Sequence, residues 1–233
     1  MAEMNNHEQN NSYMAQRRQI LNPNTTFAVQ EAYKSLRTNI NFATCDLKCK
    51  RICLTSGISG EGKSITLLNL AISIGQTGKK VLLIDADMRR PTVARLLVEQ
   101  STPGLSEYLA NEATQEEVIR KEMHPNVDVI FSGELPPNPS ELLSNERMQV
   151  LIETNTEKYD YILVDTPPVG AVTDACIVAN LLDGVLLLVW QNRSHKDVVR
   201  KAVKSLQLTG ANILGYVFNG VMPEKKKYYR YYY

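Results

Sequence analysis

Gly57-Ile58-Ser59-Gly60-Glu61-Gly62-Lys63-Ser64 is the stretch that decides the fold. It matches G-x-x-x-x-G-K-[ST] at every fixed position. An apolar, β-branched run at residues 51–56 precedes it, and a helical pattern over 63–78 follows. Strand, glycine-rich turn and helix make a phosphate-binding loop. Glycines let amide N–H groups curl around phosphate oxygens where a Cβ would collide. The helix start directs its positive end at the same oxygens. Lys63 suits β- and γ-phosphates, and the Ser64 hydroxyl suits Mg²⁺. The predicted nucleotide-binding set is Gly57, Gly60, Glu61, Gly62, Lys63, Ser64 and Ile65. A dinucleotide fingerprint fits less well, because Ile65 stands where that pattern wants glycine.

Two carboxylate motifs lie downstream. VLLIDADMRRP ends an apolar run on Asp85 and Asp87, and YILVDTPP ends another on Asp165. In a parallel sheet these strand ends share one edge with the phosphate loop. Three carboxylates gathered there repel one another, and a divalent cation removes the conflict. Each also has a plainer reading as a helix cap.

Further strands are predicted at 80–85, 127–131, 161–165, 184–190 and 213–218, with helices near 140–157, 173–182 and 194–208. Asn138-Pro139-Ser140-Glu141 and Ser194-His195-Lys196-Asp197 are the clearest helix starts. Alternating strands and helices imply right-handed crossovers and a mostly parallel sheet covered on both faces. The expectation is one α/β domain of the P-loop NTPase type. It divides as a flexible arm over 1–22, a domain over 23–222 and a tail over 223–233. A helix over 25–43 opens the domain, with Val29, Ala32, Tyr33, Leu36, Ile40 and Ala43 on one stripe. Glu31, Lys34 and Arg37 lie on the other side.

The chain has 233 residues, is 43% hydrophobic and carries a net charge of +1. That balance argues against nucleic-acid coating. The longest apolar run, 185–190, is six residues against the ~20 of a membrane span. The opening MAEMNNHEQNNSYM has no signal-peptide core, so a cytoplasmic location is expected. Cys45, Cys49 and Cys53 are read as ordinary thiols, and His124 and His195 as surface residues. Asn219 is read equally as an adenine contact or a turn residue. The tail stands apart. Tyr228, Tyr229, Tyr231, Tyr232 and Tyr233 crowd the last six positions, and residues 224–233 carry four positive charges against one negative.

The ordered set GISGEGKS, VLLIDADMRRP, ILVDTPP, the early EAYKSLR and the tyrosine tail resembles the bacterial tyrosine kinases of capsule and exopolysaccharide loci, over roughly residues 25–233. The resemblance implies a protein-tyrosine kinase using ATP and Mg²⁺. It would phosphorylate its own tail tyrosines in trans and regulate polysaccharide synthesis and export. It implies Lys63, Asp85, Asp87 and Asp165 as catalytic residues. Asp85 would be the base or orienting group for the acceptor hydroxyl, and Ser64, Asp87 and Asp165 would hold Mg²⁺. It implies a homo-oligomeric ring through Glu31, Lys34 and Arg37. Its partners would be a cognate phosphotyrosine phosphatase and a transmembrane polysaccharide co-polymerase-type adaptor. The adaptor would activate the kinase and hold it at the membrane. Phosphates on the tail would repel neighbouring tails and an acidic catalytic edge, loosening the ring.

Three positions depart from the family pattern. Ser59 replaces a common proline, Ile65 a common threonine, and Lys34 an arginine whose planar fork pairs bidentately with carboxylate. The alternatives are a P-loop ATPase switch and a nucleotide-gated scaffold without a protein acceptor. The related partition and division-site ATPases carry a lysine after the first glycine of the loop, where this chain has Ile58.

Overall fold

The computed structural model describes residues 17–48 and 50–221. The tyrosine cluster and residues 1–16 lie outside the described residues. The elements in chain order are α1 (Phe27–Ala43), β1 (Lys50–Ser56), α2 (Lys63–Gly75), β2 (Val81–Asp85), α3 (Val93–Leu97), α4 (Leu105–Leu109), α5 (Gln115–Val118), β3 (Ile119–His124) and β4 (Val127–Ile130). They continue with α6 (Pro139–Leu143), α7 (Glu146–Asn155), β5 (Tyr161–Asp165), α8 (Asp174–Ala179), β6 (Gly184–Trp190), α9 (Lys196–Leu208) and β7 (Ile213–Asn219).

The strands form one seven-stranded sheet in the order β3-β4-β2-β5-β1-β6-β7. Every neighbouring pair is parallel except β3 with β4. Strand alternation sends Leu82 and Ile84 to one face and Val81 and Leu83 to the other, and each face has its own buried cluster. Helices α4, α7, α8 and α9 cover the first face, and α1, α2 and α3 the second. The interior strands are apolar at nearly every position because both faces are buried.

The expected doubly covered parallel sheet is present, with three local differences. β3 is additional. Its sequence, IRKEMH, alternates weakly and stays half exposed, so no period marks it; pairing with β4 alone makes it a strand. The helix expected over 140–157 is two helices. Asn145 accepts from the Arg147 N–H (3.0 Å) and caps a new start. At the start of α9 the cap residue is His195, without a side-chain bond, and Ser194 is engaged elsewhere.

On α1 the expected stripe contacts the core through Tyr33, Leu36 and Ile40, while Val29, Ala32 and Ala43 are exposed. The packed region also reaches further toward the N-terminus than composition suggests. Leu21 is buried, its N–H donates to Asn69 Oδ1 (2.8 Å), and the Asn69 amide donates to the Gln19 carbonyl (2.9 Å).

Leu163, in the middle of β5, is fully buried with strands on both sides. Leu163→Ala is expected to lower unfolding free energy by about 2–5 kcal/mol. Chemical denaturation should show a lower midpoint with an unchanged slope.

Candidate active site

β1, β2 and β5 lie side by side in parallel, so Ser56, Asp85 and Asp165 end at one edge of the sheet. The registers pair Asp85 with Asp165 and Leu54 with Asp165. A cleft of about 1050 Å³ opens over that edge. One wall is the loop from Ser59 to Ile65, and the other comes from the segments after β2 and β4.

The loop's shape rests on glycine. Gly60 and Gly62 have φ of +77° and +86°, in the left-handed region. A Cβ on Gly62 would stand 2.5 Å from the Asn219 side-chain nitrogen. The loop is braced from behind. The Gly60 carbonyl accepts from Arg193 (2.8 Å) and the Glu61 carbonyl from Asn219 (2.9 Å). Tying these carbonyls back frees the amides for an anion, and the first-turn N–H groups of α2 have no intrahelical acceptor.

Of the predicted nucleotide set, Gly60, Gly62, Lys63, Ser64 and Ile65 line the cleft, and Gly57 and Glu61 do not. The Glu61 side chain is fully buried, accepting from the Ile58 N–H (3.3 Å) and the Ser194 hydroxyl. It holds the loop's conformation. Gly57 allows close packing, since a Cβ there would lie 2.7 Å from Val198. Asn219 is spent on Glu61 and on the Gly220 N–H (2.8 Å), which favours the turn reading.

The three carboxylates differ sharply. Asp87 lines the cleft and accepts from the Arg90 N–H (3.0 Å). Asp85 is fully buried, accepting from the N–H groups of Asp87 and Val93 (both 3.2 Å). Burial, then the charges of Asp165 and Asp87, raise its carboxyl well above the usual range. Asp165 is fully buried, and neither oxygen has a hydrogen-bond partner of normal geometry. Burial pushes it up to about 7; Lys63 opposes the shift, Asp87 adds to it and Ser64 opposes it.

An unpartnered buried carboxylate is costly unless something compensates it. Together with the loop's amides it fits a nucleotide bearing Mg²⁺. Among the described residues no three His, Cys, Asp or Glu side chains form a metal cluster by themselves. Mg²⁺ is usually held by one or two carboxylates plus phosphates and water.

Sequence reasoning missed a clamp on the second wall. Arg89 pairs with fully buried Asp174 through Nε (2.8 Å) and Nη2 (3.0 Å), and the Ser140 hydroxyl donates to the same carboxylate (2.7 Å). Burial would raise the Asp174 carboxyl, but these bonds hold it below its usual range. The clamp ties the segment carrying Asp87 to α6 and α8. These three positions are far apart in sequence, and no local spacing marks them.

The sequence matches the family described as AAA domain over residues 49–194. It is 41% identical over 202 residues to the tyrosine-protein kinase YwqD of Bacillus subtilis, spanning 87% of this chain and 85% of that one. The fold superposes on the kinase domain of the Escherichia coli tyrosine kinase ETK (TM-score 0.81, 36% identity, 88% of this chain and 80% of that). It does equally well on the chimerical protein CapA2B2 (TM-score 0.81, 35% identity, 86% and 88%). A more distant likeness is to the septum site-determining protein MinD of Pyrococcus horikoshii, solved with Mg-ADP (TM-score 0.62, 25% identity, 73% and 70%).

The raised Asp165 and Asp85 carboxyls predict an unusual stability profile without nucleotide. A carboxyl raised on folding contributes stability that is full below its unfolded value near 4. That contribution is lost as pH rises through the folded value, about 7 for Asp165. Carboxyls held low, such as Asp128, Asp160 and Asp174, act in acid and are flat above about pH 5.5. Thermal midpoints should therefore fall between about pH 5.5 and 8. Asp165→Asn should flatten that fall and raise the midpoint at about pH 8 by several degrees, read by scanning calorimetry.

Proposed function

The chain belongs to the AAA-domain family and to its bacterial tyrosine kinases, and on that premise we propose that the cleft transfers the γ-phosphoryl of ATP to tyrosine hydroxyls, including those of residues 228–233 on another copy. The protein is an ATP-dependent tyrosine kinase that uses Mg²⁺. The observation that carries the site assignment is the buried, unpartnered Asp165 beside Lys63 and Ser64 at the end of the phosphate loop.

Phosphoryl transfer is mainly positioning and charge stabilisation. The loop amides and Lys63 hold the β- and γ-phosphates. Ser64, Asp87 and Asp165 would hold Mg²⁺, which when bound would supply charge to offset that on the phosphate oxygens. The tyrosine oxygen forms the new bond to phosphorus, the β–γ bridging bond breaks, and ADP leaves. Asp85 takes or orients the tyrosine proton, a part suited to its raised carboxyl. Its burial requires the segment after β2 to shift when acceptor arrives. The ATPase-switch and scaffold alternatives lack support of this kind, since the relative and the superposed kinase domain bear kinase names.

The system is one of capsule or exopolysaccharide synthesis, in line with the sequence resemblance. Among the described residues no helix is long and apolar enough to cross a membrane. A transmembrane adaptor would hold the kinase at the membrane and activate it, and a phosphotyrosine phosphatase would reverse its action. The likeness to the chimerical protein CapA2B2 supports a two-component arrangement. The kinase domain would begin by Gln19, ahead of the expected residue 23, and run to about 222, with 223–233 as its acceptor tail.

Helix α1 mediates oligomerisation through Glu31 and Lys34, which pair on the exposed surface (2.7 Å). Arg37 bonds the Ser73 carbonyl of α2, so in the monomer it serves its own fold. Lys63→Met is expected to lower phosphotyrosine formation at least ~10²-fold. Mass spectrometry of the tail after incubation with Mg·ATP and an adaptor's cytoplasmic tail provides the test. Label on a Lys63→Met chain mixed with an active chain lacking 228–233 supports transfer in trans; an unlabelled inactive chain overturns it. Glu31→Ala with Lys34→Ala should shift the mass by light scattering toward monomer, and an unchanged mass would remove α1 from the interface.

A further inference from the structure

The two walls of the cleft differ in charge. The wall opposite the phosphate loop carries Arg89, Arg90 and Arg95, while the cleft-lining carboxylates are Asp87 and Glu134. Arg89 is committed to Asp174. Arg90 is exposed. Its backbone N–H bonds Asp87, and its guanidinium makes no hydrogen bond or ion pair among the described residues. Arg95 is exposed on α3 and reaches back to the Pro91 carbonyl on the same rim. The opposite side of α3, Val93, Ala94 and Leu96, is buried, so Arg95 cannot turn inward. The strongly acidic edge expected from the sequence is thus inverted at the surface. Asp85 and Asp165 lie fully buried, and the groups facing an arriving peptide are mainly arginines.

We propose that Arg90 and Arg95 form an anion subsite for the acceptor, selecting tyrosines flanked by negative charge, with phosphotyrosine the best-fitting neighbour. This deepens the kinase reading above and rests on it. The ATP phosphates belong to the opposite wall, so Arg90 on the rim faces the acceptor, with Arg95 beside it holding the Pro91 carbonyl. A guanidinium fork matches phosphate oxygens bidentately, which a point charge does not.

The tail's own charge makes the consequence specific. Residues 224–233 carry net +3, so an unmodified tail meets a rim of like sign. A first phosphate adds about −1.5 to −2. Because the tyrosines are adjacent, that charge sits one residue, about 3.5 Å of chain, from the next acceptor. One phosphate leaves the tail net positive, at about +1 to +1.5, yet sets a local negative charge beside the next acceptor. Net repulsion weakens, that phosphate pairs with the rim, and tail phosphorylation primes itself: each tail is slow to start and faster to continue. External acceptors fall in the same class, tyrosines beside Asp, Glu or phosphotyrosine.

The test uses full-length Lys63→Met chain, which binds peptide without consuming it, and fluorescent peptides of sequence EKKKYYRYYY. One is unmodified, one carries phosphotyrosine at its second tyrosine, and one carries glutamate there. Anisotropy should show the phosphopeptide binding roughly tenfold tighter than the unmodified one, with glutamate between. Raising salt from about 0.05 to 0.3 M should shrink the difference. Adding Arg90→Glu and Arg95→Glu to the Lys63→Met chain should abolish or reverse the preference, and Arg90→Gln alone should halve it on a logarithmic scale. Circular dichroism checks that each variant is folded. In the active chain, KM for the phosphopeptide should be lower than for the unmodified peptide by a similar factor. Equal affinities, or a preference that survives the double charge reversal, overturn the proposal. A preference that persists while no peptide is ever phosphorylated upholds the subsite and overturns the kinase reading.

Discussion

Asp85 and Asp165 are register partners on the last rung of the β2–β5 ladder, and both are fully buried. Parallel strands emerge on one edge at one level, so the pairing itself forces two carboxylates together where water cannot screen them. Asp85 is relieved by two backbone N–H groups, and those bonds dictate the path of the chain from Asp87 to Val93. Asp165 has no hydrogen-bond partner of normal geometry, and Lys63 and then Ser64 act against its shift. The site therefore carries a standing demand for positive charge. The Mg²⁺ of a bound nucleotide would meet that demand, and the stability profile follows from it.

Around this edge the two walls are held by one kind of device. Each wall is an irregular segment fixed by side chains from distant elements. Glu61, Ser194, Arg193 and Asn219 fix the phosphate loop, the last three coming from the region of β6, α9 and β7. Arg89, Asp174 and Ser140 fix the opposite wall. Loops cannot draw on a ladder of their own, so positioning within tenths of an ångström has to come from outside them. The walls answer to different braces, so nucleotide binding and acceptor binding can be disturbed separately.

The fold is shared with proteins that do other work. MinD superposes at TM-score 0.62, against 0.81 for the kinase domain of ETK. A common sheet edge supplies nucleotide chemistry, and what receives the phosphoryl group is decided on the facing wall and by the acceptor. At the position where the division-site ATPases place a lysine, Ile58 contributes its backbone N–H to Glu61. The loop here is shaped from inside by a buried carboxylate and leaves its cationic side chains to Lys63 and to the rim opposite.

By itself the sequence determined the parallel sheet, the phosphate loop and the three carboxylates at strand ends. Apolar strand runs and the G-x-x-x-x-G-K-S spacing are local patterns, and parallel topology carries them to one edge. It also exposed the tyrosine tail as a separate body of charge. It did not determine that Glu61 and Asn219 brace the loop, that Arg89 clamps Asp174, or that Arg37 is turned to Ser73. Nor did it show β3, whose charged residues become a strand only against β4. These depend on contacts between residues tens of positions apart, for which periodicity holds no information. The sign of the cleft was likewise a tertiary outcome. The motif reads DADMRR, acids and bases in equal view, and only burial of Asp85 and exposure of Arg90 decide which of them an arriving substrate meets.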